Sequence, residues 1–213
     1  MPTPEPVRTD FRPLTQADFA VPAHLLARRL IGCLLLVRDG PDVAGGIIVE
    51  TEAYLGIHDR ASHAFAGRRT ARNQSMYGPP GLAYVYFTYG MHHCLNVVCA
   101  DVNVPAAVLI RAIQPTVGLH LMQTRRQGPL PERRLCAGPG RLCQALGISL
   151  VDDGRRFGGS RSRLSVGMPD VKMDNSRAIR TTRIGVDYAG SWASRPLRWV
   201  LAGSPWLSRS PHS

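Results

Sequence analysis

The stretch GGIIVETEAYLG (residues 45–56) predicts a buried β-strand that carries two acidic side chains. Aliphatic residues bounded by glycines are typical of such a strand. Side chains two apart on a strand share a face, so Glu50 and Glu52 lie about 7 Å apart on one side, followed by Tyr54. The whole chain has four glutamates, so two of them in one apolar segment need an explanation.

Two explanations of these glutamates are open from spacing alone. A carboxylate in an apolar strand is unfavourable unless it is paired or used. If Glu52 is used, burial suits it to act as a general base or to stabilise positive charge. If both glutamates are paired, they bind arginines on a neighbouring strand, such as Arg111, and their role is structural.

Several other short β-rich runs surround this segment, and few helices separate them. This pattern favours an α+β fold, a single domain built on an antiparallel sheet. Helices are predicted to start at Pro22, with Leu25, Leu26 and Leu30 on one side, and to occur around 115–126 and 139–146. Composition predicts these further boundaries: a flexible arm at 1–13, one domain at 14–209, an exposed basic loop at 152–165 and a tail at 210–213.

The charge of the chain points to nucleic acid. The formal net charge is +11, from 26 basic and 15 acidic residues, and Lys172 is the only lysine. The planar fork of arginine suits bidentate contacts to phosphate, so DNA or RNA is the leading partner. No run of 18 apolar residues occurs, and the N-terminus lacks the apolar core of a secretory signal, so we expect an intracellular protein without a membrane span.

Metal and redox chemistry find little support in the pattern of the chain. The five cysteines include no close pair of the zinc or redox type, so they are predicted to be reduced and mostly buried. His92 and His93 are neighbours on a predicted strand and point to opposite faces, which argues against one shared metal ion. We therefore predict no metal and no cofactor.

The stretch YVYFTYGMHHCLNVV (residues 84–98) predicts a β-hairpin with Tyr89 and Gly90 at its turn. An exposed ring at a turn of a basic protein is a device for entering the minor groove and filling the gap left by a displaced base. Tyr54, Tyr86 and His63 could then stack on the flipped base. The alternative is that these aromatic rings only pack in the core.

Six motifs of the chain, in the same order, closely resemble the alkyladenine DNA glycosylase family, also called 3-methyladenine or methylpurine DNA glycosylases. The resemblance runs from about Leu26 to Arg209. The motifs are VETEAYLG (49–56), ASHAFAGRRTARN (61–73), YVYFTYGMHHCLN (84–96), VLIRAIQP (108–115), GPGRLCQALGI (138–148) and PLRWVLAGSPWLSR (196–209).

The resemblance implies a single mixed domain around a curved sheet with a protruding hairpin, and excision of alkylated or deaminated purines from double-stranded DNA. This substrate class includes 3-methyladenine, 7-methylguanine, hypoxanthine and etheno-adenine. By the resemblance, Glu52 is the general base that activates water, Arg111 orients that water, and Tyr89 intercalates. The implied protein is a monomer, found in the cytoplasm of a bacterium or in the nucleus of a eukaryote.

The resemblance also assigns the base pocket. It implies that Tyr54, His63 and Tyr86 form the walls around the flipped base and that Asn96 rejects the 2-amino group of normal guanine. His92 and His93 stand where relatives have at least one aromatic ring, which is a departure from the family pattern. Electron-rich rings attract a cationic alkylated base by about 0.5 to 2 kcal/mol per contact, which favours such bases.

The sequence also leaves two alternatives to a hydrolytic glycosylase open. A bifunctional glycosylase/lyase needs an amine nucleophile, for which the chain offers Lys172 or, after removal of Met1, the amine of Pro2. A non-enzymatic protein that bends DNA through Tyr89 explains the charge but leaves Glu50 and Glu52 unexplained.

Overall fold

The computed structural model describes residues 11–169 and 178–211. Within these residues, nine strands form one curled sheet in which every paired neighbour is antiparallel. The predicted α+β class and antiparallel sheet are confirmed. The strands are β1 (Phe11–Pro13), β2 (Leu34–Asp39), β3 (Asp42–Tyr54), β4 (Ala83–Thr88), β5 (His92–Cys99), β6 (Ala106–Val117), β7 (Leu164–Pro169), β8 (Ala178–Thr181) and β9 (Arg198–Leu201).

Strand β3 organises the sheet. It pairs with β6 along one edge, while its other edge pairs first with β2 and then, from Glu50 to Glu52, with β9. Irregular register with β6 at Gly45/Gly46 and on both sides of Glu50 bends the strand. The strand that carries the glutamates therefore has a neighbour on both sides at that point, which buries them.

The Gly45–Gly46 pair permits close approach of the strands. A Cβ atom on Gly45 would lie 2.1 Å from the carbonyl oxygen of Leu35, and one on Gly46 would lie 2.0 Å from that of Gln114. No side chain fits at either position. The two glycines thus allow the sheet to curl immediately before the acidic segment.

Within the described residues, four α-helices cover the sheet: α1 (Gln16–Phe19), α2 (Ala23–Leu30), α3 (Leu119–Arg125) and α4 (Pro139–Leu146). Helix α2 follows Pro22 as predicted, but Leu25 is 52% exposed, because the buried face carries residues spaced as Ala23, Leu26, Ala27 and Leu30. None of the described helices is long and apolar enough to cross a membrane.

The other two helix predictions are also confirmed, one with a shifted start. Helix α4 ends at Gly147, whose φ of 69° is the left-handed conformation that favours glycine. Helix α3 begins at Leu119 rather than near 115, because β6 continues to Val117.

The predicted arm at 1–13 is wrong at its end. Residues 11–13 form the edge strand β1, which pairs with β7, and Phe11 is buried. An edge strand tolerates Pro13 because its missing N–H is not needed by a second neighbour. The rest of the predicted arm, residues 1–10, lies outside the described residues.

The predicted exposed loop at 152–165 is also partly wrong. Asp152, Phe157, Leu164 and Ser165 are buried, and the last two already belong to β7. Arg163 Nε donates a 2.6 Å hydrogen bond to Asp152 Oδ1. The polar groups of this segment are thus satisfied internally, which composition does not reveal.

Candidate functional site

Glu50 is the hub of a buried polar network on β3. Its Oε1 accepts hydrogen bonds from Arg111 Nε (2.9 Å), Arg198 Nε (2.8 Å) and the hydroxyl of Ser208 (2.7 Å), while its Oε2 accepts one from the Ser208 N–H (2.6 Å). Glu50 is fully buried. It therefore ties β3 to β6, β9 and the C-terminal segment, which is a structural role.

Glu52 is equally buried but has different partners. The hydroxyl of Tyr54 donates to its Oε2 (2.9 Å), and the N–H of Ile184 donates to its Oε1 (2.8 Å). Arg111 Nη1 lies 3.2 Å from the same Oε1. The structural alternative is confirmed to the extent that Arg111 binds both glutamates, and this places both on the same face of β3, as predicted.

Arg111 on β6 uses all three nitrogens of its guanidinium. Nε binds Glu50, Nη1 contacts Glu52 and Nη2 donates to the Ser208 hydroxyl over 3.3 Å. Burial opposes its charge, but the carboxylates of Glu52 and Glu50 outweigh burial and raise the pKa of Arg111 above its ordinary value. The forked geometry fixes the distance between the two glutamates.

A cavity of about 290 Å³ lies beside this network. Glu52 does not line it, because Tyr54, Arg111 and Ile184 form the wall in front of the carboxylate. Six of the residues named from sequence line this one cavity: Tyr89, which stands at the hairpin turn, and five others. The five others are Tyr54, His63, Tyr86, Asn96 and Arg111.

His63 is held against two tyrosines. Its Nδ1 lies 2.7 Å from the hydroxyl of Tyr84, and its ring meets that of Tyr86 edge-on with centroids 4.6 Å apart. Burial, followed by the charges of Arg72 and Arg68, lowers the pKa of His63 to about 4. The imidazole is therefore neutral near pH 7 and offers one donor and one acceptor.

Asn96 is fixed by the pairing of β4 with β5. It stands opposite Tyr84 in the hairpin, and its Nδ2 donates a 3.0 Å hydrogen bond to the Tyr84 carbonyl oxygen. Asn96 is buried and lines the cavity. Its side chain is thus held in one orientation at the cavity wall.

The hairpin turn presents Tyr89 at the mouth of the same cavity. Tyr89 is 84% exposed and lines the cavity. Tyr89 (φ 52°) and Gly90 (φ 67°) both have positive φ and are the central residues of a tight turn that the hydrogen bond from the Met91 N–H to the Thr88 carbonyl oxygen closes. A tyrosine in this conformation is strained, and strain of this kind clusters at functional sites. The core-packing alternative holds for the buried Tyr84 but not for Tyr89.

Sequence reasoning missed the segment after β8. Arg183 is buried and binds both oxygens of Asp59, with Nη1–Oδ2 at 2.5 Å and Nη2–Oδ1 at 2.8 Å. Its guanidinium lies 4.8 Å from the centre of the Tyr54 ring. The next residue, Ile184, carries the N–H that binds Glu52. No periodic pattern marks this segment, so only the three-dimensional fold brings it to the site.

Among the cysteines and the histidine pair, Cys94 lines the cavity, and His92 lies in a neighbouring pocket with Arg111 and Ser208. All five cysteines are buried and none is in a disulfide, as predicted. His93 packs on Phe87 with ring centroids 5.0 Å apart. Among residues 11–169 and 178–211, no three His, Cys, Asp or Glu side chains are grouped as a metal site needs.

Comparison with known proteins gives consistent matches over most of the chain. The family model described as methylpurine-DNA glycosylase (MPG) matches residues 17–205. A putative 3-methyladenine DNA glycosylase of Myxococcus xanthus is 43% identical over 198 residues, which cover 93% of this chain and 94% of the relative. The DNA-3-methyladenine glycosylase of Mus musculus is 40% identical over 200 residues, 89% of this chain and 59% of that protein. That of Homo sapiens is 40% identical over 200 residues, 66% of its length.

Proposed function

The chain belongs to the methylpurine-DNA glycosylase family, and we propose on this premise that it hydrolyses the glycosidic bond of damaged purines with water activated by Glu52. It is a monofunctional DNA glycosylase of base excision repair that acts on alkylated purines. The family inferred from the six motifs is confirmed. The matches support neither the DNA-bending protein nor the lyase, and Lys172 lies outside the described residues.

One observation carries the proposed mechanism. The Glu52 carboxylate accepts a hydrogen bond from Tyr54 and forms an ion pair with Arg111. Both residues line the cavity that His63 and Tyr86 enclose. The buried charge of Glu52 therefore lies behind the aromatic wall of the pocket and is connected to it by one hydrogen bond. That arrangement suits a reaction in which positive charge develops on a sugar at the pocket mouth.

The charge of Glu52 acts first. As the bond between base and sugar breaks, the sugar acquires oxocarbenium character, which the nearby carboxylate stabilises. An alkyl group on N3 or N7 of the purine makes the base cationic and weakens this bond before the enzyme acts. Neutral damaged bases such as hypoxanthine leave as anions that must take up a proton on the ring, so they depend more on the enzyme, and we include them in the proposed substrate class.

The proton of the attacking water reaches Glu52 through Tyr54. In this scheme a water held against Arg111 and the Tyr54 hydroxyl adds its oxygen to the sugar carbon and gives a proton to Tyr54. Tyr54 passes its own proton to Glu52 Oε2 across their 2.9 Å hydrogen bond. Burial, the Glu52 charge and their hydrogen bond raise the pKa of Tyr54 well above its ordinary value, so the hydroxyl keeps a proton to pass on.

The remaining residues bind the DNA. We propose that Tyr89 enters the minor groove and fills the gap left by the flipped nucleotide, since its ring is exposed at a strained turn. Tyr54, His63 and Tyr86 then enclose the base, and Asn96 excludes the 2-amino group of guanine. We further propose that the protein acts as a monomer on damaged duplex, in the bacterial cytoplasm or the eukaryotic nucleus.

The test is an excision assay on one duplex that contains a single hypoxanthine or 7-methylguanine. After incubation with the protein, alkali should cleave the strand at the abasic site, while a sample that is incubated with the protein but receives no alkali should stay intact. Cleavage without alkali would indicate a lyase. Absence of cleavage with alkali for both bases would contradict the proposed function.

A further inference from the structure

Two walls of the base pocket carry a guanidinium on their rings. Arg183 lies 4.8 Å from the centre of the Tyr54 ring, and Arg72 lies 5.3 Å from that of Tyr86. Both tyrosines line the cavity, while neither arginine does. Each guanidinium therefore covers a part of its ring that is turned away from the space for the base.

The two arginines differ in whether a carboxylate pairs with their charge. The charge of Arg183 is paired with both oxygens of the buried Asp59. In contrast, no carboxylate of the described residues forms an ion pair with Arg72, whose Nη2 donates to the uncharged carbonyl oxygen of Phe87 over 3.0 Å. The field of Arg72 at the pocket is thus uncompensated within its contacts.

The other charges near the cavity largely cancel in pairs. Glu50 and Glu52 bind Arg111 and Arg198, and Asp59 binds Arg183. Arg68, like Arg72, is exposed and has no carboxylate partner among the described residues. The carboxylate of Asp153, which accepts hydrogen bonds from Ser75 and the Val85 N–H, acts on the nearby Tyr84. Two arginines against this one carboxylate leave an excess of positive charge around Tyr86 and His63.

We propose that Arg72 is a specificity-determining residue that biases the pocket against cationic bases and towards neutral damaged purines. The inference rests on the proposed function and names the substrate class within it. A cation on one side of an aromatic ring reduces the net attraction for a second cation on the other side, because the two charges repel each other and polarise the ring in opposite directions. The general preference of aromatic walls for a cationic base is thus reduced at Tyr86.

His63 reports the same field from inside the pocket. Burial is the main cause that lowers its pKa to about 4, and the charges of Arg72 and then Arg68 add to it. A cationic ring at this wall is therefore disfavoured in the protein itself. The same two arginines act on a cationic purine that stacks beside His63.

The size of the effect follows from distance. A base stacked on the far side of Tyr86 would place its charge roughly 9 Å from Arg72, given contact distances of about 3.5 Å. With partial screening by solvent and salt, repulsion between unit charges at that distance changes a rate or binding ratio by about twofold to tenfold.

The experiment compares Arg72→Gln with Arg69→Gln. Arg69 is a matched control, because it is exposed in the same segment and lies 4.6 Å from the centre of the Tyr77 ring, which does not line the cavity. Single-turnover excision is measured on one duplex with 7-methylguanine or hypoxanthine. The ratio of cationic to neutral excision should rise about twofold to tenfold for Arg72→Gln and stay constant for Arg69→Gln. Arg72→Lys, which keeps the charge, should stay near the wild-type ratio.

A second measurement needs no DNA. In an NMR titration of His63, its pKa should rise above about 4 in Arg72→Gln and not in Arg69→Gln. If the wild-type protein excises neither base, the proposed function fails, while this titration still shows whether the field of Arg72 reaches the pocket. An unchanged excision ratio in Arg72→Gln, an equal change in both variants, or an unchanged His63 titration would overturn the inference.

Discussion

Tyr54 donates a 2.9 Å hydrogen bond to Oε2 of Glu52, so the buried carboxylate is connected to the cavity through a phenol. Because Glu52 does not itself line the cavity, the proposed mechanism passes the proton through the hydroxyl of Tyr54. The arrangement separates two roles that a tyrosine wall can have. In the proposed mechanism the ring encloses the base, while the hydroxyl serves the chemistry.

Substitution of Tyr54 by phenylalanine keeps the wall and removes the hydroxyl. We expect single-turnover excision of hypoxanthine to fall by about a hundredfold, since proton transfer in the transition state contributes on this order. Affinity for the lesion duplex should change by less than about threefold. An excision rate equal to that of the wild type would exclude Tyr54 from the proton path.

Glu50→Gln should mainly affect stability. Glu50 binds two buried arginines and Ser208, so loss of its charge leaves Arg111 and Arg198 partly unpaired. We expect the free energy of unfolding, measured by urea denaturation, to fall by about 3 kcal/mol. Glu132→Gln is the control: Glu132 is exposed and should change stability by less than about 0.5 kcal/mol. Equal stability of the two variants would show that the Glu50 network is not structural.

Tyr89→Asn should weaken DNA binding and leave the stability of the fold unchanged or slightly higher. Asparagine tolerates the positive φ of 52° better than tyrosine, so the melting temperature should stay the same or rise slightly. Affinity for a lesion in duplex DNA should fall by tenfold or more, while a lesion in single-stranded DNA should lose less, because only the duplex has a gap to fill. Equal losses on both substrates would count against the wedge.

The pH dependence of stability should carry a contribution from His63. Its pKa is lowered from 6.5 to about 4 in the folded state, so the unfolded chain binds this proton at a higher pH. Stability should therefore be lost as pH falls from 6.5 to about 4, by about 1–3 kcal/mol from this group, with no further loss below. In His63→Gln, the free energy of unfolding, measured by urea denaturation at several pH values, should fall less steeply as pH is lowered from 6.5 to about 4. An unchanged slope would mean that His63 titrates normally.

Much of the site was accessible from β3 alone. The period of two placed Glu50, Glu52 and Tyr54 on one face, and the hairpin pattern placed Tyr89 at an exposed turn, because both features depend on neighbours close in sequence. Spacing left the pairing of Arg111 with the glutamates open as one alternative, and its role toward water rests only on the family resemblance, since pairing between β3 and β6 joins residues about 60 positions apart.

The remaining site residues were not predictable from local patterns. Arg183 and Ile184 reach Glu52, Asp59 and Tyr54 through contacts more than 120 residues apart in the chain. The segment 152–165 resembles a solvent-exposed loop in composition, yet Asp152 and Arg163 satisfy each other inside the fold. In these cases tertiary contacts override composition.

In the proposed mechanism Glu52, and not Glu50, provides the charge and the basicity for hydrolysis. Glu52→Gln keeps the size of the side chain and removes both properties, so it isolates them. Glu50→Gln changes the neighbouring carboxylate on the same face of β3 and is the matched variant. Its assays must be run at a temperature at which circular dichroism shows it to be folded.

The deciding measurement is single-turnover excision of hypoxanthine from duplex DNA by these two variants, together with their affinity for the same duplex. We expect Glu52→Gln to bind the lesion within about threefold of wild type and to excise it at least about a hundredfold more slowly. Folded Glu50→Gln should lose less than about tenfold, and for Glu52→Gln the loss on 7-methylguanine should be smaller than on hypoxanthine. Excision by Glu52→Gln at the wild-type rate would show that hydrolysis needs neither the charge nor the basicity of Glu52.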